Sequence, residues 1–252
     1  MTRTWVNLEE YGGLGLTMVE EVELAFRLGR ASPAFRSLIG TNNGIGSQGI
    51  LLDGTEQQKQ TWLPRLASGE VIGSFALTEP DSGSDAASIS LSADPDGVDF
   101  ILNGTKRYIT NAPIAGLFTV MARTDRTIEG AKGITAFLVE GNTPGLSVGL
   151  PDRKMGQRGT KTADVVFQNC RVPASSIIGG IAGRGFSTAM KVLDRGRLHI
   201  SAVCVGAAER LLDDALSFAM NRRQFNAPIS KFQLIQAMLA DSRTELYAGK
   251  CM

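Results

Sequence analysis

An apolar lead-in from Val71 to Leu77 runs into Thr78-Glu79-Pro80-Asp81-Ser82-Gly83-Ser84-Asp85, where hydroxyls, carboxylates and glycine crowd together. A strand that ends in such a turn presents backbone N–H groups and hydroxyls to a ligand. Three further polar blocks follow. They are Asn103 to Ala112 (Asn-Gly-Thr-Lys-Arg-Tyr-Ile-Thr-Asn-Ala), Arg153 to Asp164 (Arg-Lys-Met-Gly-Gln-Arg-Gly-Thr-Lys-Thr-Ala-Asp), and Arg222 to Ile229 with Phe232-Gln233. Other chemistries lack their residues. Gly156-Gln157-Arg158-Gly159-Thr160-Lys161-Thr162 lacks the Gly-Lys-Ser/Thr order and the following helix of a P-loop, and no Gly-x-Gly-x-x-Gly occurs. His199, the one histidine, has no partner motif and reads as structural. Cys170, Cys204 and Cys251 are odd in number and unclustered, which suits core thiols in a reducing cytosol.

In order and spacing the four blocks resemble the signatures of the FAD-dependent acyl-CoA dehydrogenase family, and the resemblance covers nearly the whole chain. It implies that Phe75, Leu77, Thr78, Gly83 and Ser84 line FAD, with Ser84 also near the pantetheine. Thr78 and Thr110 would donate to the flavin ring edge, with Ile109 between Thr110 and Tyr108. Tyr108 would pack on the ring where the family often has Trp. Arg222, Gln224, Phe225 and Gln233 would clamp the FAD of a neighbouring subunit, Arg222 through the pyrophosphate. Asn226 replaces the usual glycine of that turn, a substitution that tolerates left-handed backbone. Ser84, Thr160, Leu193, Asp194 and Arg197 would face the acyl-CoA.

The implied reaction removes the α-proton of an acyl-CoA thioester while the β-hydride passes to FAD, giving the 2-enoyl-CoA. Enolate-like charge on the thioester oxygen then needs preorganised donors. Family members take this proton with a glutamate placed later in the chain, or in a minority just before the arginine of the Leu193–Arg197 turn. Gly196 stands at that second position, so no catalytic residue is assigned and the base is expected beyond Met252. The sequence therefore reads as truncated at both ends, and the isolated chain is expected to be inactive. A non-catalytic flavin- or acyl-CoA-binding subunit is the alternative. The resemblance further implies an electron-transferring flavoprotein as partner, a homodimer or homotetramer, fatty-acid β-oxidation, and a cytoplasmic location.

Composition narrows the field. Among 252 residues, Lys plus Arg number 26 and Asp plus Glu 25, so a net charge of +1 gives no case for nucleic acid or a membrane surface. No uninterrupted apolar run approaches a membrane span, and the N-terminus has no signal pattern.

The elements that must position these blocks give an α+β chain in three parts: a helical segment over 1–71, a central antiparallel β-barrel or sandwich over 72–178, and the start of an up-down helical bundle over 179–252. In the first part Val19, Val22, Ala25-Phe26 and Leu28-Gly29 share an apolar face, with Glu20, Glu21 and Glu23 turned outward. Thr55 and Gln58 form a capping box opening a helix that Pro64 must perturb. In the second, short β-prone runs (98–102, 118–122, 134–140, 165–167) alternate with turns such as Pro95-Asp96-Gly97 and Thr143-Pro144-Gly145. Glycines at 179, 180, 183 and 185 mark a hinge before a long helix. There Phe186, Met190, Leu193, Arg197, Ile200, Cys204, Ala207, Leu211, Ala215 and Phe218 form one stripe at alternating four- and three-residue steps. Arg197 interrupts it, and a guanidinium there needs either Asp194 or an anionic ligand. A stripe short of partner helices favours aggregation.

Overall fold

The computed structural model describes residues 9–252, so Met1 to Leu8 of the expected N-terminal segment lie outside the described residues. Four helices come first: α1 (Met18–Ala31), α2 (Pro33–Gly40), α3 (Gln48–Asp53) and α4 (Glu56–Ser68), with a π-helical turn at Thr41–Ile45 between α2 and α3. The capping box forms in both directions: Thr55 Oγ1 accepts from Gln58 N, and Thr55 N donates to Gln58 Oε1. Pro64 removes one backbone donor from α4 without ending it, and the helix runs on to a left-handed cap at Gly69. The missing N–H would have bonded Gln60, and Gln60 and Pro64 are both exposed, so water can satisfy the freed carbonyl.

Seven strands follow: β1 (Gly73–Ala76), β2 (Ser92–Asp96), β3 (Asp99–Thr110), β4 (Leu117–Arg123), β5 (Ile134–Glu140), β6 (Leu146–Val148) and β7 (Thr162–Pro173). They make one curled sheet in the order β1-β4-β2-β3-β7-β6, with β5 on β4. Its ladders are mainly antiparallel, as expected, but β1 runs parallel to β4 and β2 meets β4 in parallel at Ser92–Arg123, so the sheet is mixed. The chain between Leu77 and Leu91 spends its length on the Thr78–Asp85 turn instead of a hairpin, and β1 pairs with a later strand. Phe118, Phe137, Phe167, Leu102 and Val165 fill one face of the sheet. Leu117, Met121, Ile134 and Leu138 fill the other with Ile50, Leu63 and Leu66.

The long helix α5 (Gly185–Asn221) leads to a small hairpin, β8 (Arg223–Gln224) and β9 (Ala227–Pro228), and then α6 (Gln233–Cys251). No helix among the described residues is long and apolar enough to cross a membrane. By their contacts the described residues divide into two units: one holds 9–17 and Ser37–Gly196, the other Met18–Arg36 and Arg197–Met252.

In the second unit several expectations are corrected. Glu21 is fully buried, not turned outward; it follows the same helical face as Ala25 and Gly29, and His199 Nε2 lies 2.9 Å from its carboxylate. Val19, expected inside, is exposed. The α5 stripe is also displaced. Ile200, Cys204, Leu211, Ala215 and Phe218 are exposed, whereas His199, Ala202, Val203 and Gly206 are buried. The small residues win because they allow the closest approach: a Cβ on Gly206 would sit 2.1 Å from Phe26 O, and one on Gly29 2.4 Å from Val203 O. Of the three thiols only Cys170 is in a core, where burial pushes its pKa up to about 11; Cys204 and Cys251 are exposed.

Candidate active site

Three of the four polar blocks meet on β3. A bulge does the work: Lys106 pairs with Val165 and Ile109 with Ala163, so Arg107 and Tyr108 together oppose Asp164 alone. Tyr108 absorbs the extra residue with left-handed backbone, φ 57°, which is costly for a bulky side chain. The bulge lets Lys106 and Ile109 both point inward and turns the Tyr108 ring outward, 58 % exposed. Arg107 stacks its guanidinium 4.8 Å from that ring and reaches Asp164 at 3.2 Å.

The end of β1 lies against this bulge. Arg107 N donates to Thr78 O at 2.8 Å, and Ser74 Oγ donates to Thr110 O at 2.6 Å. Beyond Thr78 the turn closes on itself through Glu79 N to Ser82 O (2.8 Å) and Ser82 N to Glu79 O (3.3 Å). Thr78 and Thr110 are half-buried, and Gly83 and Ser84 are exposed. The side chains of Phe75, Leu77 and Ile109 are buried in the cores, which leaves a ligand their backbone at most. The third block joins through Asn111 N to Lys161 O at 2.9 Å. Its Thr160 is 1 % exposed, a side chain enclosed by protein and not open to a ligand in this conformation. On α5, Leu193 is half-buried and Asp194 exposed.

The fourth block belongs to the second unit. Phe225 and Asn226 form the two-residue turn between β8 and β9 with φ 49° and 60°, so Asn226 is in the left-handed conformation that a glycine would take easily. Phe225 is 90 % exposed, its ring edge-to-face with Phe232 at 6.1 Å. Arg222, Gln224 and Gln233 are exposed around it, as is Arg197 on α5.

Under the first unit's surface is a buried pair to which sequence reasoning gave no role. Lys106, 0 % exposed, donates from Nζ to Glu79 Oε1 at 2.8 Å and to Leu77 O at 2.9 Å. Glu79 also accepts from Ser90 N (2.7 Å), Ser90 Oγ (2.8 Å) and Leu91 N (2.9 Å). Burial lowers the Lys106 pKa to about 8, with the Glu79 carboxylate opposing the drop. Burial alone would raise the Glu79 pKa, but the ammonium and the backbone donors outweigh it and hold the carboxyl below its usual range. The signal for Lys106 was its parity: Leu102, Gly104 and Lys106 fall on one face of β3, and Leu102 is wholly buried.

The arrangement offers an open aromatic ring, two neighbouring hydroxyls and an exposed Gly-Ser turn with no heavy atom within 4 Å of a Cβ built on Gly83. That is a platform for a flat conjugated ring with a charged tail, and the residues present fit a flavin nucleotide.

Comparison with known proteins agrees. Three profiles match: "Acyl-CoA dehydrogenase, N-terminal domain" at residues 5–70, "middle domain" at 74–170 and "C-terminal domain" at 183–252. The chain is 41 % identical over 244 residues to the human mitochondrial short-chain specific acyl-CoA dehydrogenase, covering 97 % of this chain and 59 % of that protein. It superposes on an acyl-CoA dehydrogenase from Geobacillus kaustophilus with a TM-score of 0.94 and 36 % identity, over 99 % of this chain and 65 % of the other. An acyl-CoA dehydrogenase from Bacillus anthracis complexed with FAD gives 0.91 and 36 %, over 98 % and 41 %. The chain spans about three-fifths of the length of the curated relatives it matches, 59 % and 64 % for two of them.

Proposed function

Given that the chain belongs to the acyl-CoA dehydrogenase family, we propose that it serves the α,β-dehydrogenation of an acyl-CoA thioester to the 2-enoyl-CoA. FAD is the cofactor, and when bound it supplies the acceptor for the β-hydride. The observation that carries this reading is the Tyr108 bulge: an exposed aromatic ring on strained backbone, directly beside the Thr78 turn.

In this reading Tyr108 gives the ring a face to pack on, and the Thr78 and Thr110 hydroxyls donate to the edge of the flavin. Phe75, Leu77 and Ile109 contribute backbone, and Gly83 and Ser84 let the cofactor and pantetheine approach closely. Thr160, Leu193, Asp194 and Arg197 line the acyl-CoA, for which the loop holding Thr160 must open. Arg222, Gln224, Phe225 and Gln233 reach the FAD of a second subunit, which accounts for an exposed phenylalanine on left-handed backbone. The carboxylate that takes the α-proton lies outside all the residues named. The three-part division at 71 and 178, a homodimer or homotetramer, reoxidation by an electron-transferring flavoprotein, a role in fatty-acid β-oxidation and a cytoplasmic location belong to the same proposal.

The visible spectrum of the purified chain with FAD, before and after an acyl-CoA is added, tests it. A resolved flavin spectrum that stays oxidised supports a competent cofactor site without its base. Bleaching by substrate would overturn the assignment of the base, and failure to take up FAD would sink the reading.

A further inference from the structure

Lys106 and Glu79 bury two charges in the core of the sheet unit, at 0 % and 5 % exposure. Stability does not explain such a pair, because desolvating both ions costs about what their attraction returns, and an apolar pair of similar volume is often as stable. Their placement is informative. Lys106 Nζ holds the carbonyl of Leu77 and the carboxylate of Glu79, the two residues that flank Thr78. The next residue on β3, Arg107, holds Thr78 O from its backbone N–H. Glu79 in turn is tied to Ser90 and Leu91, where the chain leaves the turn for β2. One ammonium thus joins the turn's entrance, its exit and the bulge that aims Tyr108.

We propose that Lys106 is a positioning residue whose ammonium, acting through Glu79 and Leu77 O, fixes the Thr78 backbone against the Tyr108 bulge so that both meet the same flavin. This rests on the FAD reading above. The charge is the essential part: a cation can satisfy a carbonyl and a carboxylate at once in fixed directions, which an apolar side chain of the same length cannot. The geometry of the cofactor site is thereby specified by a group that never touches the cofactor.

Three variants of the full chain separate positioning from mere stability: Lys106→Met, Lys106→Met with Glu79→Gln, and Glu79→Gln alone. Each is read by thermal melting without FAD, by FAD titration, and by the fine structure of the bound flavin's visible band. Lys106→Met leaves a buried carboxylate unpaired and melts early. The double variant removes the stranded charge and regains most of the wild-type melting temperature. It still binds FAD about tenfold more weakly, the scale of one lost charged hydrogen bond, with an altered flavin band. A double variant with wild-type FAD affinity and an unchanged band would overturn the inference alone. If neither Lys106 variant folds, Glu79→Gln decides: altered affinity and band support the inference, and wild-type behaviour overturns it. A wild-type chain that takes up no FAD would overturn the flavin reading and this inference with it.

Discussion

The sheet unit and the helical unit satisfy their apolar residues to very different degrees. In the sheet unit Phe118, Phe137 and Phe167 are among the largest wholly buried side chains. In the helical unit the buried cluster is only Ala25, Phe26, Ala202 and Val203 with Val22 and Val205 at its edge. Leu211, Phe218, Leu234 and Met238 face solvent, and a groove of about 750 Å³ lies between α5 and α6. A curled sheet closes one face on itself and buries the other under α3 and α4, whereas two or three helices shield each other along one stripe each. The helical unit leans on surface charge instead: Arg30 reaches Glu209 at 2.6 Å and Asp213 at 2.7 Å, and Lys250 also pairs with Glu209.

The contrast predicts which changes matter. Phe137→Ala opens a cavity in a closed core and is expected to cost about 3–5 kcal/mol in chemical denaturation; a loss near that of a surface change would break the comparison. Lys106→Met is expected to cost about 3 kcal/mol because it strands the Glu79 charge, measurable in the same experiment. His199→Ala, which leaves the buried Glu21 carboxylate without its ring partner, is expected to cost about 1–3 kcal/mol. Since α1 and α5 meet through this pair, the loss should register in helical circular dichroism.

Acid should weaken the sheet unit next. The folded Glu79 carboxyl is held below the ordinary 4.5 of a glutamate, so the folded state prefers the ionised form. Its contribution is present above that value and is lost as pH falls through the lower folded one. Glu79→Gln should flatten the acid limb of a stability–pH curve; an unchanged limb would show the pair does not govern it. Smallest of all, Phe218→Ser should change stability by less than about 0.5 kcal/mol while reducing self-association in sedimentation. A large destabilisation there would mean the exposed face is packed after all.

The α+β class, the element order and the long helix were legible because hydrophobic periodicity and turn residues act locally. The capping box at Thr55 and Gln58 formed as read for the same reason. The errors have one common source. Glu21 and the α5 stripe were misassigned because residue type was taken to decide which helix face is buried, whereas backbone approach at Gly29 and Gly206 chose the face. Glu21 could then go inside, with His199 opposite it.

By itself the sequence determined the four polar blocks and their family, since those residues sit in runs whose chemistry can be read without neighbours. It also carried the alternation that makes β3 and β7 strands. Only the tertiary structure decided that three blocks converge on one bulge, that Tyr108 faces out, and that Lys106 closes on Glu79, 27 residues earlier. Burial of a charge depends on its partner, and Glu79 reaches Lys106 because the turn after β1 is laid against β3, a contact between segments distant in sequence.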